Sequence, residues 1–426
     1  MNSSVVVLHP LCPFTVLDVA VDVGMDELHF ETVIGGEIIE KEIANRSDTI
    51  SVMLRWTLNK AKHAGFNQIR IVAEPTGIYH ELLFRIAVKM KLQTTFVRGE
   101  AVKKMSKILF NDRGKTDERD PKAIRELADR DIVFKHRRLP ETYQLMRRFN
   151  VIYDVAEKGI IEAKCRIHRC LKTMFPDLSY GVGFVYSNSG RAIMQCYGYD
   201  PHAITRAGLK RATKRLKVLV PRIRKRTIER LIEYATASVA STPPGRMNEV
   251  RSIELRLTWE DMELHEKRRS EAADALRLLY DEARADDPNL PKPIKGVATK
   301  LSLARLIAEV GPLSDFKNWR QILKMVGLNL CERKSGKYKG KTKISKAGRH
   351  MGRSILNQMV LPLVKKTRLY GRYYHHKRDV EKMKGSSAMT AVARKLLKML
   401  WGLYKSGAEF SPDRVFACES TFAKAA

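Results

Sequence analysis

The sequence is short of acid. Across 426 residues, 47 Asp and Glu stand against 79 Lys and Arg, a formal net charge of +32. An excess of that size repels itself in a compact chain and implies a polyanion that neutralises it in use. Nucleic acid is the polyanion to expect, with an anionic membrane surface as the competitor. Cysteine is sparse as well: Cys12, Cys165, Cys170, Cys196, Cys331 and Cys418 lack the spacing of a disulfide framework, which suits a reducing compartment. Cys165, His168 and Cys170 lie close enough together to seed a zinc site, with both cysteines fitting the buried side of a helix, but no fourth ligand is in view. No apolar run approaches a membrane span, and residues 1–14 lack the basic start and long apolar core of a signal peptide. The expectation is a cytoplasmic protein without a membrane partner. No Walker motif appears, so chemistry driven by a nucleotide-binding P-loop is not expected.

The charge is uneven along the chain. Residues 206–230 hold eleven Lys/Arg and one acid, and residues 331–353 hold nine and one. The first 45 residues run the other way, with eight acids and a single Lys. Carboxylates in a protein that grips phosphate repel its ligand unless a cation sits between them.

Hydrophobic residues at 44% describe a folded chain, and the length allows roughly two to four domains. Val16–Val23 alternates, with Leu17, Val19, Val21 and Val23 on one face and Asp18 and Asp22 on the other, which predicts a strand. Further strands are predicted over 28–34 and 37–43, with Gly35-Gly36 as their turn. The pattern then predicts a helix over 50–64, a strand over 68–73, a helix over 79–90 and a strand over 94–97. Three meandering strands followed by alternating helix and strand are the succession of an α/β RNase H-like (RuvC-like) domain, placed at 15–137.

Beyond it the chain reads as mostly helical. Residues 143–171 form one long amphipathic candidate, and 241–245 (STPPG) a linker. Residues 254–284 suggest a coiled-coil-like arm whose seam is interrupted, ended by the prolines of 286–293. The expected organisation is a helical region at 138–292 with a basic insert at about 176–245, a mostly α C-terminal domain at 293–412 and a tail at 413–426.

Two constellations carry chemistry. Asp22 ends the first strand, Glu74 follows the strand IRIVA, and Asp117 and Asp120 lie three apart at a helix start with Pro121 in its first turn. Hard oxygen donors of this kind suit Mg²⁺ or Mn²⁺, and paired ions of this type clamp the attacking and leaving oxygens of a phosphodiester. Taken singly, each acid reads better as a surface residue or, for Asp120, a helix cap; the set at strand and helix ends is what points to a metal. The second is Glu332-Arg333-Lys334-Ser335-Gly336-Lys337, continuing to Ser345-Lys346-Ala347-Gly348-Arg349. Arg333, Lys334, Lys337, Lys346 and Arg349 can hold a phosphate beside the Ser335 hydroxyl. On spacing alone a lysine-rich phosphate-gripping loop, with Ser335 as a spacer, remains the alternative.

The series V-D-V-G, A-E-P-T-G and K-T-D-E-R-D resembles the RuvC-like domain of the transposases of one insertion-sequence family, relatives of the Piv-type DNA invertases. Several members are understood as bridge-RNA-guided recombinases. The C-terminal K-G-V-A, A-R-L-I-A-E-V-G, F-K-N-W-R-Q-I-L-K-M-V-G-L, K-S-G and I-S-K-A-G-R are similar to that family's second domain, and together the two regions span about half to three-fifths of the chain. The resemblance implies an acidic quartet at Asp22, Glu74, Asp117 and Asp120 and a catalytic serine at Ser335. It implies cleavage through a phosphoserine–DNA intermediate, strand exchange and religation between donor and target duplexes. A prokaryotic, nucleoid-associated setting and a structured noncoding guide RNA follow from it too. Carboxylates and serine on separate domains make a site assembled between protomers natural, and closed symmetry favours a dimer or a dimer of dimers.

Two departures stand out. Lys295-Gly296-Val297-Ala298 replaces the family's P-G-[IV]-G, and about 176–245 has no counterpart there. The insert contains Lys214, Arg215, Lys217, Arg222 and Arg224, which read as RNA or DNA contacts or as a solvated basic helix. An RNA-independent invertase, a metal-dependent RuvC-like nuclease and a non-enzymatic RNA-binding protein are the readings left open.

Overall fold

A computed structural model describes residues 16–75, 77–110, 119–181, 183–242, 245–332, 334–335, 338–340, 342–412 and 414. The chain divides after Arg138 into two compact units.

In the first unit, β1 (Val16–Val23), β2 (Glu27–Ile34) and β3 (Glu37–Ala44) form an antiparallel meander. Gly35 and Gly36 turn β2 into β3 at φ of +63° and +88°, a backbone region open to glycine. Next come α1 (Ser47–His63), β4 (Gln68–Ala73), α2 (His80–Lys89), β5 (Gln93–Phe96), α3 (Gly99–Phe110), α4 (Arg119–Asp129) and the short β6 (Phe134–Lys135). The sheet order is β3-β2-β1-β4-β5-β6, with β1, β4 and β5 parallel and the flanking strands antiparallel. This is a mixed sheet covered on both faces. The alternation in β1 sends Leu17, Val19, Val21 and Val23 against α1 and α2, together with Ile69, Ile71, Ile50, Leu54 and Leu83. Ala20 and Val72 face the other way, onto Val102 of α3 and Ala123, Ile124 and Leu127 of α4. The 50–64 and 79–90 expectations are met within a few residues; α3 and β6 were not anticipated.

The second unit is almost wholly helical. The 34-residue α5 (Glu141–Met174) leads to α6 (Asn188–Tyr197), α7 (Pro201–Leu219), α8 (Lys225–Ser241) and the 41-residue α9 (Arg246–Asp286). Then come α10 (Lys300–Val310), α11 (Trp319–Met325), the two-residue strands β7 (Leu330–Cys331), β8 (Lys334–Ser335), β9 (Tyr338–Lys339) and β10 (Lys343–Ile344), and α12 (His350–Val360), α13 (Gly371–His375) and α14 (Gly385–Ser406). Two cores share the long helices. One gathers Tyr143 and Met146 of α5 and Leu276, Leu279 and Tyr280 of α9 around α10, α11, α12 and α14. The other joins Ile160, Ile167 and Leu171 of α5 and Leu255, Trp259 and Met262 of α9 to α6, α7 and α8.

The arm runs longer than 254–284: α9 is one helix from Arg246 to Asp286, and the expected interruption lies in its apolar seam. Its seam changes chemistry between the cores, where a Cβ on Gly159 of α5 would lie within 2.6 Å of the His265 ring and Arg269 pairs with Glu157 at 2.8 Å. The zinc reading finds no support. Cys165 is exposed, against expectation, while Cys170 is buried in the second core and His168 packs edge-on to Tyr186. Among the described residues no helix is long and apolar enough to cross a membrane.

One ion pair on the α4 face is testable. Arg125 donates to Glu31 at 2.7 Å, and the two side chains are 12% and 1% exposed. Arg125→Met should cost about 3–5 kcal/mol by leaving Glu31 buried without its counter-charge. The double variant Arg125→Met/Glu31→Leu should recover most of that loss, as read by denaturant melts.

Candidate active site

Register places the acidic residues of the first unit. Adjacent parallel strands β1 and β4 pair Asp18 with Arg70, Ala20 with Val72 and Val21 with Ala73. The next step sets Asp22 and Glu74 side by side at the C-terminal ends of neighbouring strands, which lie about 4.8 Å apart. By alternation both belong to the face covered by α3 and α4.

The direction of α4 follows from three contacts. Arg70 forks onto Asp18 at 2.6 and 2.7 Å, reaches Asp131 at 2.9 Å and donates to the Ala128 carbonyl at 3.4 Å. Arg125 holds Glu31, whose strand partner is Ala20. The C-terminal end of α4 therefore lies over the start of β1, its middle over Ala20, and its first turn, with Asp120, over Asp22 and Glu74. From Ala128 back to Asp120 is about 12 Å of helix, and from Asp18 to Asp22 about 13 Å of strand. The two spans agree.

Electrostatics reinforces the clamp. The hydrogen bonds that Arg70 donates to Asp18 are the main reason its guanidinium is held well above its ordinary pKa. Burial works against the charge of Arg125, yet Glu31, Asp129 and Glu126 together still raise its pKa. Both cations stay charged where the helix needs them.

Local details shape the edge further. Asp22 Oδ1 accepts from the Val23 amide at 3.0 Å. A Cβ on Gly99 would lie 2.8 Å from Glu74 Cδ, so a larger residue at the first position of α3 would push the carboxyl group aside. The positive end of a helix favours an anion at that position. Asn45 Nδ2 donates to the carbonyls of Gly24 (3.1 Å) and Tyr79 (3.2 Å), tying the loop after β1 to the loop after β4.

Sequence reasoning passed over Gly99, Asn45 and His29. His29 is the β2 partner of Asp22, and with Glu27 and Glu42 it places three donor atoms within 4.8 Å of one another. The only signal for it was its place in the alternation. Asp117 lies outside the described residues.

In the second unit, Ser335 stands on a small ribbon. β7 pairs with β10 (Leu330 with Ile344, Cys331 with Lys343), and beyond them β8 pairs with β9 (Lys334 with Lys339, Ser335 with Tyr338). Arg333, Gly336 and Lys337 lie outside the described residues. The base of the ribbon is tied down: Ser345 Oγ donates to Asn329 Oδ1 at 2.6 Å, and the Lys346 amide donates to the Gly327 carbonyl at 3.1 Å. Lys346 holds a φ of +56°, and Gly348 comes so near Met325 that a Cβ would sit 2.3 Å from its carbonyl oxygen.

Arg349, expected at the nucleic acid, is 39% exposed and donates to Glu309 at 2.8 Å. Glu309 is 1% exposed and is shared with Asn150 Nδ2 at 3.0 Å; Arg305 in turn donates to Asn150 Oδ1 at 3.0 Å. Arg349 thus locks α5, α10 and α12 together. Lys214, Arg215 and Lys217 on α7, and Arg222 and Arg224 in the turn to α8, belong to a helical layer whose inner side carries Ala212, Leu216, Ile223 and Ile228.

The comparisons with known proteins name the class. Residues 19–176, which carry the acidic edge, match a DEDD-type model of the IS110 group described as a transposase. Residues 292–375, which carry the serine ribbon, match the transposase IS116/IS110/IS902 family. The chain is a DNA transposase/recombinase, an enzyme. More particularly, it carries the two transposase domains of IS110/IS116/IS902 insertion sequences. A search of curated proteins found no match.

A DEDD transposase domain implies dependence on a divalent metal. The residues present fit one: carboxylates brought to one sheet edge supply hard oxygen donors, and the glycine beside Glu74 keeps the cradle open. Asp22→Asn and Glu74→Gln should each lower Mn²⁺ affinity of the full chain at least about tenfold and abolish transposition, with the melting temperature nearly unchanged. Gly99→Ala should weaken Mn²⁺ binding in the same direction by displacing Glu74. Manganese titration followed by electron paramagnetic resonance measures all three, and unchanged affinity in Asp22→Asn would remove Asp22 from the site.

Proposed function

We propose that this transposase cuts and rejoins donor and target DNA through Ser335, with Asp22, Glu74, Asp117 and Asp120 holding divalent metal, Mg²⁺ or in its place Mn²⁺. The observation that carries the reading is the register that sets Asp22 beside Glu74 at the strand ends facing the first turn of α4. The order β3-β2-β1-β4-β5 supports a RuvC-like, RNase H-like domain, in which that edge is the reactive one. Bound there, a divalent cation supplies charge stabilisation at the scissile phosphate.

Ser335 Oγ forms the bond to phosphorus as the phosphodiester P–O bond breaks. The hydroxyl proton leaves and the departing DNA oxygen takes up a proton, so the phosphoserine link keeps the energy of the broken bond for religation. Lys334, Lys337, Arg333 and Lys346 neutralise the phosphate during the exchange. Ser335→Ala should bind DNA as the unchanged protein does, yet leave no protein–DNA adduct after denaturation. Mass spectrometry that places the link on Ser345, or on no serine, would overturn the assignment.

The active form is a homodimer or a dimer of dimers. Val250, Leu257 and Leu264 lie exposed at seven-residue intervals along α9, a spacing that supports pairing with a second copy. The chain works with a structured guide RNA held partly by the α7–α8 segment, a reading supported by the run of Lys214, Arg215, Lys217, Arg222 and Arg224 on that layer. Replacing these five by Gln should flatten the dependence of RNA affinity on salt, by roughly one log–log unit for each phosphate that is no longer neutralised. Recombination at full speed in RNase-treated extract by protein free of RNA would favour an RNA-independent, invertase-like enzyme.

A further inference from the structure

Among the described residues, one face of α14 is left open. Ala391, Arg394, Lys395, Lys398, Met399, Gly402, Leu403 and Ser406 recur on it at helical spacing, and with Trp319, Tyr373 and Phe410 they line a cavity of about 560 Å³. That volume lies inside the range of roughly 300–1,000 Å³ for small-ligand sites.

Its walls combine two chemistries. The aromatic rings of Trp319, Tyr373 and Phe410 offer flat apolar faces. Arg394, Lys395, Lys398 and Arg414 bring four cations, against Glu409 as the acid in the lining, itself 3.8 Å from Lys292. The cations are held near the rings: Lys398 Nζ lies 5.5 Å from the centre of Trp319, and Lys395 Nζ lies 4.7 Å from that of Tyr373. Arg394 Nε is buried with no hydrogen-bond partner among the described residues, a costly state for a charged group. Burial also holds its pKa below the ordinary value.

Gly402 completes the picture. A glycine inside a helix is destabilising, and here a Cβ would meet nothing within 4 Å. Packing does not require glycine at this position, and its effect is to keep the cavity wide.

We propose that this cavity is a nucleotide pocket that takes an unpaired base of a single strand between Trp319, Tyr373 and Phe410, with its phosphate on Arg394, Lys395 and Lys398. Planar rings stack on bases of any sequence, and clustered cations follow the backbone. A base within a duplex presents no free face to these rings, so the pocket selects unpaired nucleotides. DNA and RNA share this chemistry, and the test separates them.

The full chain is titrated with fluorescent twelve-nucleotide oligo(dT), oligo(U) and a blunt duplex of the same length. Gly402→Leu fills the cavity and improves helix propensity, so it should fold and still weaken single-strand binding at least about tenfold. Trp319→Leu should do the same, and duplex affinity should change less than twofold in both. The single strand that suffers the loss, DNA or RNA, identifies the source. Oligonucleotides carrying 5-iodouracil should, on irradiation, crosslink to Trp319, Tyr373 or Phe410. Unchanged single-strand affinity in Gly402→Leu, an equal loss on the duplex, or crosslinks confined to other residues would each overturn the proposal.

Discussion

The arrangement of the first unit hangs on charge buried under α4. A helix with apolar residues on one side can lie on a sheet in either direction, since hydrophobic contact carries no sense of orientation. Arg70 and Arg125 remove the ambiguity, the first gripping the end of the helix and the second its middle. Both reach acids on the strands, Asp18 and Glu31, that occupy positions where an apolar side chain would otherwise pack. Once the helix direction is set, the place of Asp120 opposite Asp22 and Glu74 is geometry rather than a separate feature.

Much of this unit was legible because strands write their period into sequence. The alternation of VLDVAVDV named the two faces, and the pair Gly35-Gly36 named the turn. Where the reading stopped, the missing information was pairwise. Nothing in a single sequence says that Gly99 abuts Glu74, that Asn45 bridges two loops, or that Asp22 pairs with His29; these depend on which segments meet. Arg349 adds a pairwise fact of the same kind. Inside a basic run it reads as a phosphate ligand, and the fold also gives it a buried partner, Glu309, some forty residues earlier. Clustered positive charge mixes residues that face a ligand with residues that complete a core, and composition alone does not separate them.

The serine ribbon and the basic helices are built on different principles. The ribbon is short and carries few apolar residues, so its shape comes from paired backbone at its base and from the glycines that let 327 and 348 approach each other. The α6–α8 segment has a proper interior of its own, shared with α5 and α9. That segment therefore carries its cationic surface on an apolar layer of its own, and the α9 arm runs past both cores as one continuous helix despite the break in its apolar pattern.

That arm also constrains how such a chain can change length. Removing one residue from α5 between its two cores would turn everything beyond by about 100° and draw it in by about 1.5 Å. Ile160, Ile167 and Leu171 would then swing away from Leu255, Trp259 and Met262. The close seat of His265 against Gly159 would vanish in the same stroke. Insertions and deletions are tolerable here only in steps near whole pairs of turns and matched in both helices, so two helices paired in this way hold the spacing between the cores as a quantity inherited in discrete units.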